Sequence, residues 1–370
     1  MTNLFKQPWR LTHTVVRGKG GRELKKFRRI HPAVDDDTGS ESWVGSVIRA
    51  RQASPEHPNM GCAETILPDG NRMYLFEAIN LDPLAALGEQ HYRRHRCGLG
   101  VLVKYLDAQF KYPLQVHPTR SRAQEVFASN FGKEESWYVI GLREDAPEPP
   151  YILAGFKEGV SLRDMEQLYR LEDIAAMERL CHKIPITVGE TYIIKAGAPH
   201  ALGAGAFVVE VQEPCDITLV PVKQKVLAAQ SKQYRFLDEP VYEERVLGTF
   251  IYEGYGYEET LKRCRIPPKT IREGDWGKEV YLIGPEQTGF FSFTRADVKS
   301  AVKIRATGFP QIVLALEGEG SLRFEGGSVP LRRGDEWFLP YDIPGAVLDG
   351  AVSVIFCHPE GAEQPFGFVQ

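Results

Sequence analysis

The chain has 370 residues, which is more than one compact hydrophobic core usually supports, so we expect two or three packed units. Hydrophobic residues make up 43% and charged residues 25%, as in soluble globular proteins, and the net charge of −4 argues against a nucleic-acid partner. No apolar run approaches the roughly 18 to 20 residues that cross a bilayer, and the N-terminus lacks the apolar stretch of a secretory signal. We therefore expect a cytoplasmic protein without a membrane partner.

Glycine and proline divide the chain into many short segments, most of which have the composition of strands. Helices are predicted over 75–95, 122–131 and 161–180. Short strands separated by turn residues are typical of β-sandwiches and barrels, so we predict a mostly β chain with a minor helical part. In chain order, the predicted strands include YPLQVHP, SWYVIGL, YILAGF, TYIIKAG, AFVVEVQE, DITLVPV, QIVLALEG, SLRFEG, EWFLP and AVSVIFCH.

Two twelve-residue segments of the chain align without gaps. GETYIIKAGAPH (189–200) and GDEWFLPYDIPG (334–345) each hold a glycine, an acid, a short apolar strand and a turn with proline one residue before the end. This pattern resembles the second conserved motif of the cupin barrel, in which a terminal histidine can bind metal. The first copy ends in His200 and the second in Gly345. We therefore predict two cupin-like β-barrel or jelly-roll units, only the first of which keeps a metal-binding histidine.

The expected division of the chain has three parts. Residues 1–100 form an N-terminal segment with a helical part that packs on the first barrel. Residues 101–235 form the catalytic barrel with the metal site, and residues 236–370 form a second barrel without metal ligands. The six cysteines have no CxxC spacing, so we expect reduced, mostly buried thiols rather than disulfides.

Four side chains of the first barrel have the chemistry of a metal site. Gln115 and His117 are two residues apart in a predicted strand and so share one face, Glu135 begins the next strand, and His200 ends the repeat. One amide, one carboxylate and two imidazoles suit a divalent ion such as Zn²⁺, with positions left for water or substrate. Taken singly, each residue also has an ordinary structural explanation, and only the combination on a cupin-like frame favours a metal.

The same segments resemble the type I mannose-6-phosphate isomerases. YPLQVHP, GKEESWYVIG and IIKAGAPHALGAGAFVVEVQE match the family's motifs in order, as do ESWVGS and GVLVKYLDAQF upstream. The resemblance runs from about residue 40 to 220 and continues more loosely through the C-terminal unit.

This resemblance implies a zinc enzyme, with one ion per chain, that interconverts an aldose phosphate and a ketose phosphate through an enediol. By motif position, Gln115, His117, Glu135 and His200 are the ligands. Lys133 and Glu210 stand where the family has a catalytic lysine and acid. Another explanation of Glu210 remains open, because a buried acid can also be the partner of a buried lysine or arginine.

Two positions depart from the family pattern, and both handle anionic groups there. Pro113 replaces a serine, and Val220 replaces an arginine. Arg120 and Lys223 are candidate substitutes for phosphate binding, although such residues are also common as solvated surface charges.

Three functions therefore stay open. The first is a divergent mannose-6-phosphate isomerase. The second is a related isomerase or epimerase that acts on a different sugar, either phosphorylated or unphosphorylated, and the third is a non-catalytic sugar-binding cupin. The sequence leaves the oligomeric state open.

Overall fold

The computed structural model describes residues 4–31, 36, 39–226, 238–305 and 307–361. The chain is mostly β, as predicted, and packs as two units. The first unit comprises Met1–Asp107, Val209–Pro214 and Pro267–Gln370, and the second comprises Ala108–Val208 and Cys215–Ile266. The N-terminal segment of the expected division thus lies in one unit with the C-terminal barrel.

An eleven-stranded antiparallel sheet forms most of the first unit. Its main path runs β14–β15–β16–β21–β18–β20–β1–β4–β5, with β17 paired to β21 and β19 paired to β18. These strands are β1 (Trp9–Leu11), β4 (Glu64–Ile66), β5 (Arg72–Tyr74), β14 (Lys269–Gly274), β15 (Gly277–Ile283), β16 (Phe291–Val298), β17 (Ala301–Lys303), β18 (Gln311–Phe324), β19 (Gly327–Arg332), β20 (Glu336–Leu339) and β21 (Val347–Pro359).

Apolar side chains fill the interior of this C-terminal barrel. Val313, Leu322, Trp337, Leu348 and Val354 belong to one buried cluster, and they lie on β18, β20 and β21. Such a cluster leaves the barrel packed like an ordinary hydrophobic core.

The rest of the first unit is a smaller sheet with short helices. In this sheet β6 (Leu102–Asp107) lies between residues 209–212 of β12 (Ala206–Gln212) and β3 (Glu41–Val44). Strand β2 (Thr14–Arg17) pairs with β3 at the edge. The described helices of this unit are a 3₁₀ turn (Leu4–Lys6), α1 (Arg22–Phe27), α2 (Leu75–Leu81), α3 (Pro83–Leu87) and α4 (Glu89–His95).

The second unit contains the first copy of the repeat. Strand β10 (Thr191–Ile194) pairs antiparallel with β7 (Glu135–Leu142). Strand β8 (Tyr151–Lys157) lies between β11 (His200–Leu202) and β13 (Gly254–Tyr255) and also pairs with β9 (Cys181–Pro185). The described helices are α5 (Arg120–Phe127), α6 (Leu162–Leu171), α7 (Ile174–Arg179), α8 (Glu239–Leu247) and α9 (Tyr257–Cys264).

Both copies of the repeat begin with the same backbone turn. Gly189 has φ +93° and Gly334 has φ +84°, a left-handed conformation that side chains with a Cβ rarely adopt. Each glycine precedes a four-residue strand, β10 in one copy and β20 in the other. The glycine of the sequence motif therefore has a conformational cause in both units.

Four predicted elements differ from the structure. The strand predicted at DITLVPV is wrong, because only the bridge at Leu219 forms there, and the helix predicted over 161–180 is two helices, Leu162–Leu171 and Ile174–Arg179. The prediction of a strand at YPLQVHP is wrong, because only isolated bridges form there, from Gln115 to His200 and from Val116 to Leu219. Proline lacks the N–H group that a strand ladder needs, and prolines flank this segment on both sides. The single helix expected over 75–95 is three short helices, which break before Pro83 and at Gly88.

All six cysteines are free thiols, as expected, and five of them are buried. In the part of the chain that the structure describes, no helix is long and apolar enough to cross a membrane.

A buried ion pair in the first unit supplies a test of the packing. The Arg28 guanidinium lies 2.7 Å from Glu336 Oε1, and their side chains are 2% and 0% exposed. We expect Arg28→Met to lower the free energy of unfolding by about 3–5 kcal/mol, because the mutation leaves a buried carboxylate without its cation. Urea unfolding measures this change.

The exposed Arg93–Glu89 pair is the matched control. Arg93→Met is expected to change the free energy of unfolding by less than about 0.5 kcal/mol. The double variant Arg28→Met/Glu336→Leu should recover most of the loss, since no buried charge remains. Equal effects of the buried and exposed single variants would contradict this account.

Candidate metal centre

Three buried side chains of the second unit converge on one point. His117 Nε2 lies 3.1 Å from His200 Nε2, 3.0 Å from Glu135 Oε2, and Glu135 Oε1 lies 3.3 Å from His200 Nε2. Each side chain is 1% exposed or less. Among the described residues, this is the one group of at least three His, Cys, Asp or Glu side chains close enough together to hold a metal ion.

Backbone carbonyls fix the tautomers of both histidines. His117 Nδ1 lies 3.1 Å from the carbonyl oxygen of Ile217, and His200 Nδ1 lies 2.9 Å from that of Ala198. A carbonyl only accepts hydrogen bonds, so each Nδ1 carries the proton and each Nε2 of a neutral ring carries a lone pair. Burial lowers the pKa of His117 to about 3, and the Lys133 ammonium adds to this effect, so the ring is neutral at pH 7.

In this centre, His117 Nε2, His200 Nε2 and the Glu135 carboxylate direct their electron pairs toward one another. Two bare imidazole nitrogens and a carboxylate in contact are stable only when a cation balances them. Histidines held through Nδ1 by backbone carbonyls, with Nε2 directed at a shared point, are also the arrangement that zinc sites use. The donor set of His117, Glu135 and His200 thus fits a divalent ion such as zinc.

Lys133 contributes a positive charge to the same cluster. Its Nζ lies 2.6 Å from His117 Nε2 and 2.7 Å from Glu135 Oε2, and the side chain is 3% exposed. Burial raises the pKa of Glu135, but the ammonium of Lys133 outweighs burial and holds that pKa well below its usual range. Glu135 is therefore a carboxylate at neutral pH, as a metal ligand must be.

Local pairing brings these residues together from separate parts of the chain. The Gln115 N–H donates to the His200 carbonyl at 2.9 Å, and the His200 N–H donates to the Gln115 carbonyl at 3.0 Å. Partners in such an antiparallel bridge direct their side chains to the same face. Gln115 is thereby placed on the face of His200, and its assignment as a fourth ligand stays a prediction.

Glu210 belongs to the first unit, where it has a buried cationic partner. Its Oε1 lies 2.7 Å from Lys104 Nζ, and both side chains are 4% exposed. Lys104 also lies 3.5 Å from Glu41 Oε1, which accepts a hydrogen bond from Trp43 Nε1. The pairing partner that sequence analysis left open thus exists. Lys104 itself was missed, although a lysine within the apolar run VLVKYL was a visible signal.

The two candidate phosphate-binding residues lie in the second unit. Arg120 is the first residue of α5, and its guanidinium lies 5.9 Å from the centre of the Phe131 ring. Lys223 lies 3.2 Å from Glu172 Oε1, and that carboxylate also pairs with Lys225 at 2.7 Å. Binding of substrate by Arg120 and Lys223 stays a prediction.

The two positions that depart from the family pattern have different surroundings. Val220 is 6% exposed and packs in the apolar core of the second unit, and its carbonyl accepts a hydrogen bond from the hydroxyl of Tyr242. Pro113 is exposed. Neither residue offers a charged or donating side chain.

Comparisons with known proteins match this chain to mannose-6-phosphate isomerases. The family model "mannose-6-phosphate isomerase, cupin domain" matches residues 285–359. The mannose-6-phosphate isomerase of Streptococcus mutans is 25% identical over 340 residues, which cover 92% of this chain and 94% of that protein. The crystal structure of the Bacillus subtilis mannose 6-phosphate isomerase superposes with a TM-score of 0.70 at 22% identity, over 95% of this chain and 99% of that one.

A zinc-bound mannose 6-phosphate isomerase superposes equally well. Its TM-score is also 0.70, at 17% identity, over 95% of this chain and 99% of that one. At these identities, the two structural matches show a shared fold.

We expect the purified protein to bind one zinc ion, and His117→Ala to weaken zinc binding at least about a hundredfold, because one of the converging nitrogens is lost. Calorimetric titration against a competing chelator measures the affinity. His182→Ala is the matched control, since His182 is also buried in the second unit but its Nε2 donates to the carbonyl oxygen of Tyr255 at 2.8 Å. Unchanged zinc affinity in His117→Ala would remove the assignment.

Removal of the Lys133 charge should raise the zinc affinity and lower the stability of the zinc-free protein. An ammonium in contact with two ligand atoms repels a divalent ion, so we expect Lys133→Met to bind zinc about tenfold more tightly. When a chelator has removed zinc, the free energy of unfolding of the same variant should be lower by about 3–5 kcal/mol, because Glu135 loses its closest cation. Lys195→Met, which removes an exposed partner of Glu134, should change neither quantity. A weaker zinc affinity in Lys133→Met would contradict this electrostatic account.

Proposed function

We propose that this chain, which belongs to the type I mannose-6-phosphate isomerase family of cupin proteins, interconverts mannose 6-phosphate and fructose 6-phosphate in a metal-dependent reaction. The observation that carries this proposal is the buried contact of His117 Nε2, His200 Nε2 and the Glu135 carboxylate. Its neutral imidazoles and single carboxylate would leave a bound divalent cation with net positive charge. The similarity to mannose-6-phosphate isomerases over most of the chain supports the choice of reaction.

Isomerisation of an aldose to a ketose moves a proton between C2 and C1 and builds negative charge on the sugar oxygens. When bound, a zinc ion would supply Lewis-acid polarisation of those oxygens. His117, Glu135, His200 and, by motif position, Gln115 are the residues proposed to hold it. Because these side chains are almost fully buried, with Gln115 partly so, the charges that develop are poorly screened by water.

Lys133 is proposed to act on the substrate oxygens from within this centre. Its ammonium contacts His117 Nε2 and Glu135 Oε2, which are the atoms proposed to hold the ion, so it lies beside the proposed metal position and is shielded from solvent. A cation so placed stabilises a developing oxyanion and can donate a proton to it. This role is consistent with the lysine at the matching motif position of the family.

Glu210 is proposed to transfer the proton between the two carbons. Its carboxylate lies in a nearly dry environment in the first unit, and the Lys104 ammonium 2.7 Å away balances its charge. A buried carboxylate is able to accept a proton in addition to the hydrogen bonds that it receives. The motif position supports this assignment independently of the ion pair.

A specific observation favours an unphosphorylated sugar as a second candidate substrate. Val220, in the position of the family's arginine, packs in an apolar core. Nearby basic residues already pair with acids: Lys223 and Lys225 with Glu172, and Arg122 with Glu244 at 2.7 Å. A phosphate group would have to compete with these carboxylates for its cations.

Turnover of mannose 6-phosphate and of free mannose by the zinc-loaded protein separates the two candidates. If charged groups of the protein stabilise the phosphate in the transition state by about 4 kcal/mol, kcat/KM should favour mannose 6-phosphate over mannose by about a thousandfold. Comparable values for both sugars would support the second candidate. Sugar binding without turnover of mannose, mannose 6-phosphate or fructose would contradict the isomerase proposal altogether.

We expect Glu210→Gln to lower kcat about 10²- to 10⁴-fold, because an amide cannot accept the proton. Zinc content should stay at the wild-type value, which distinguishes this variant from His117→Ala. Glu178→Gln changes an acid that pairs with Lys111 at the surface and should leave kcat unchanged. Wild-type kcat in Glu210→Gln would exclude Glu210 as the proton-transfer group and leave it a structural partner of Lys104.

A further inference from the structure

Trp43 lies among a buried group of charged side chains in the first unit. Glu41 and Trp43 are two residues apart on β3, so they share one face of the sheet, and Lys104 of β6 is the direct cross-strand partner of Trp43. The indole is 0% exposed, and the Lys104 ammonium lies 5.5 Å from its ring centre, within the range of a cation–π contact. Trp43 therefore lies beside the cation that pairs with Glu210, but it is too deeply buried to contact a substrate itself.

Both oxygens of the Glu41 carboxylate have a donor close by. Trp43 Nε1 donates a hydrogen bond to Glu41 Oε1 at 2.7 Å, and Arg17 Nε lies 2.8 Å from Glu41 Oε2. The side chain of Glu41 is 10% exposed, so water contributes little to its solvation. A carboxylate that is satisfied by protein donors in this way has less need of a further cation.

The Lys104 ammonium is shared between two carboxylates but lies closer to one of them. Its Nζ is 2.7 Å from Glu210 Oε1 and 3.5 Å from Glu41 Oε1. The more distant oxygen is the one that accepts the hydrogen bond from the Trp43 indole. Because charges attract strongly in a poorly hydrated site, a donor that occupies this oxygen weakens its pull on the ammonium. The hydrogen bond from Trp43 thus favours the arrangement in which Lys104 stays with Glu210.

The chain segment between β3 and β4 fixes the indole in place. Ala50 belongs to the buried cluster around Trp43, and the partly buried Met60 packs against that cluster. Gly61 lies directly against the ring: it has φ +92°, and a Cβ there would be 2.7 Å from the ring carbon Cζ3. A hydrogen bond of 2.8 Å from the Ala50 N–H to the Met60 carbonyl closes the segment. The indole therefore has little freedom to turn its N–H away from the carboxylate.

We propose that Trp43 is a positioning residue for proton transfer. By binding Glu41 Oε1, its indole N–H keeps the Lys104 ammonium beside Glu210. This role rests on the proposed transfer of the proton by Glu210. Without the indole N–H, Glu41 Oε1 takes the ammonium as its replacement partner, and Glu210 loses the cation that anchors and balances it.

Crystal structures of the wild type and of Trp43→Phe test the geometry independently of any reaction. Phenylalanine keeps an aromatic ring beside the ammonium but has no N–H group. In the variant we expect Lys104 Nζ to lie about 2.8 Å from Glu41 Oε1 and more than about 3.5 Å from Glu210.

Trp9→Phe is the matched control, because it makes the same change at an indole of the first unit that is also 0% exposed. Trp9 Nε1 donates to the carbonyl oxygen of Leu4 at 2.9 Å rather than to a carboxylate. Both distances from Lys104 Nζ should therefore keep their wild-type values in this variant. Zinc content and urea unfolding establish that each variant is folded and loaded with metal.

Kinetics of the zinc-loaded variants test the consequence for the reaction. Trp43→Phe should lower kcat about tenfold and change KM less than about twofold, because the proton-transferring group loses its anchor while a buried indole does not bind the sugar. The double variant Trp43→Phe/Glu41→Gln should raise kcat at least about threefold above that of Trp43→Phe, since a neutral amide no longer draws the ammonium from Glu210. A loss of packing alone would lower stability without this recovery.

Gly61→Ala tests the support that the segment gives to the indole. The added Cβ would displace the ring, so we expect kcat to fall at least about threefold. Gly70→Ala is the matched control, because Gly70 has φ +86° but an added Cβ meets no atom of the described residues within 4 Å. Its kcat should stay within about twofold of the wild-type value. Equal kcat values in the two variants would contradict the support by this segment.

The proposal is overturned if Trp43→Phe leaves Lys104 nearer to Glu210 than to Glu41. It is also overturned if Trp43→Phe lowers kcat no more than Trp9→Phe does, or if the double variant is slower than Trp43→Phe. If the wild type turns over no sugar, the proposed function fails, whereas the crystal structures still decide whether Trp43 holds Lys104 beside Glu210.

Discussion

The structure of the second unit depends on one electrostatic constraint, which is the burial of several electron-pair donors against one another. His117, His200 and Glu135 meet within 3.3 Å in a site that water does not screen. Left to themselves, these groups repel or take up protons. Backbone carbonyls hold each Nδ1 proton, burial keeps the His117 ring neutral, and the Lys133 ammonium keeps Glu135 ionised. A centre held in this way is preorganised to receive positive charge, as a metal ion or on a reacting sugar.

The preorganisation has a local structural origin. The turn at residues 195–199 connects β10 to β11, supplies the carbonyl that orients His200 and receives support from Ile251. Gly197 has φ +87°, and its lack of a Cβ allows this turn to pass close to Ile251. A Cβ at this position would lie only 2.5 Å from the isoleucine side chain. The same residues form part of the wall of an apolar cavity. Metal-ligand geometry and cavity shape thus share one short segment of backbone.

The two copies of the cupin-like repeat use similar backbones for different purposes. In the second unit, the copy ends in a histidine and helps build a polar centre, whereas the copy in the first unit ends in Gly345 and borders an apolar core. Charge is still buried in the first unit, where each carboxylate lies beside a cation: Glu336 beside Arg28, and Glu41 and Glu210 beside Lys104. In the second unit, three electron-pair donors share the single ammonium of Lys133, which favours the binding of a further cation.

The amino-acid sequence by itself determined the class of the fold and the identity of the metal-ligand candidates. Alternation of apolar residues, the spacing of turns and the repeated motif are local features, so the mostly β chain and the glycine turns were predictable from them. His117, Glu135 and His200 were identified together because motif order survives even when the segments lie far apart in sequence. The expectation of free thiols is confirmed for the same reason, since the cysteine spacing is also a local property.

Only the tertiary structure decided which partners those residues meet. The flanking prolines reduced YPLQVHP to isolated bridges, yet Gln115 still reached the face of His200 through long-range pairing. Lys104 became the partner of Glu210, and the carbonyls of Ile217 and Ala198 fixed the two imidazole tautomers. Such contacts join residues up to 106 positions apart, and their energies depend on burial and distance, which exist only after the chain has folded.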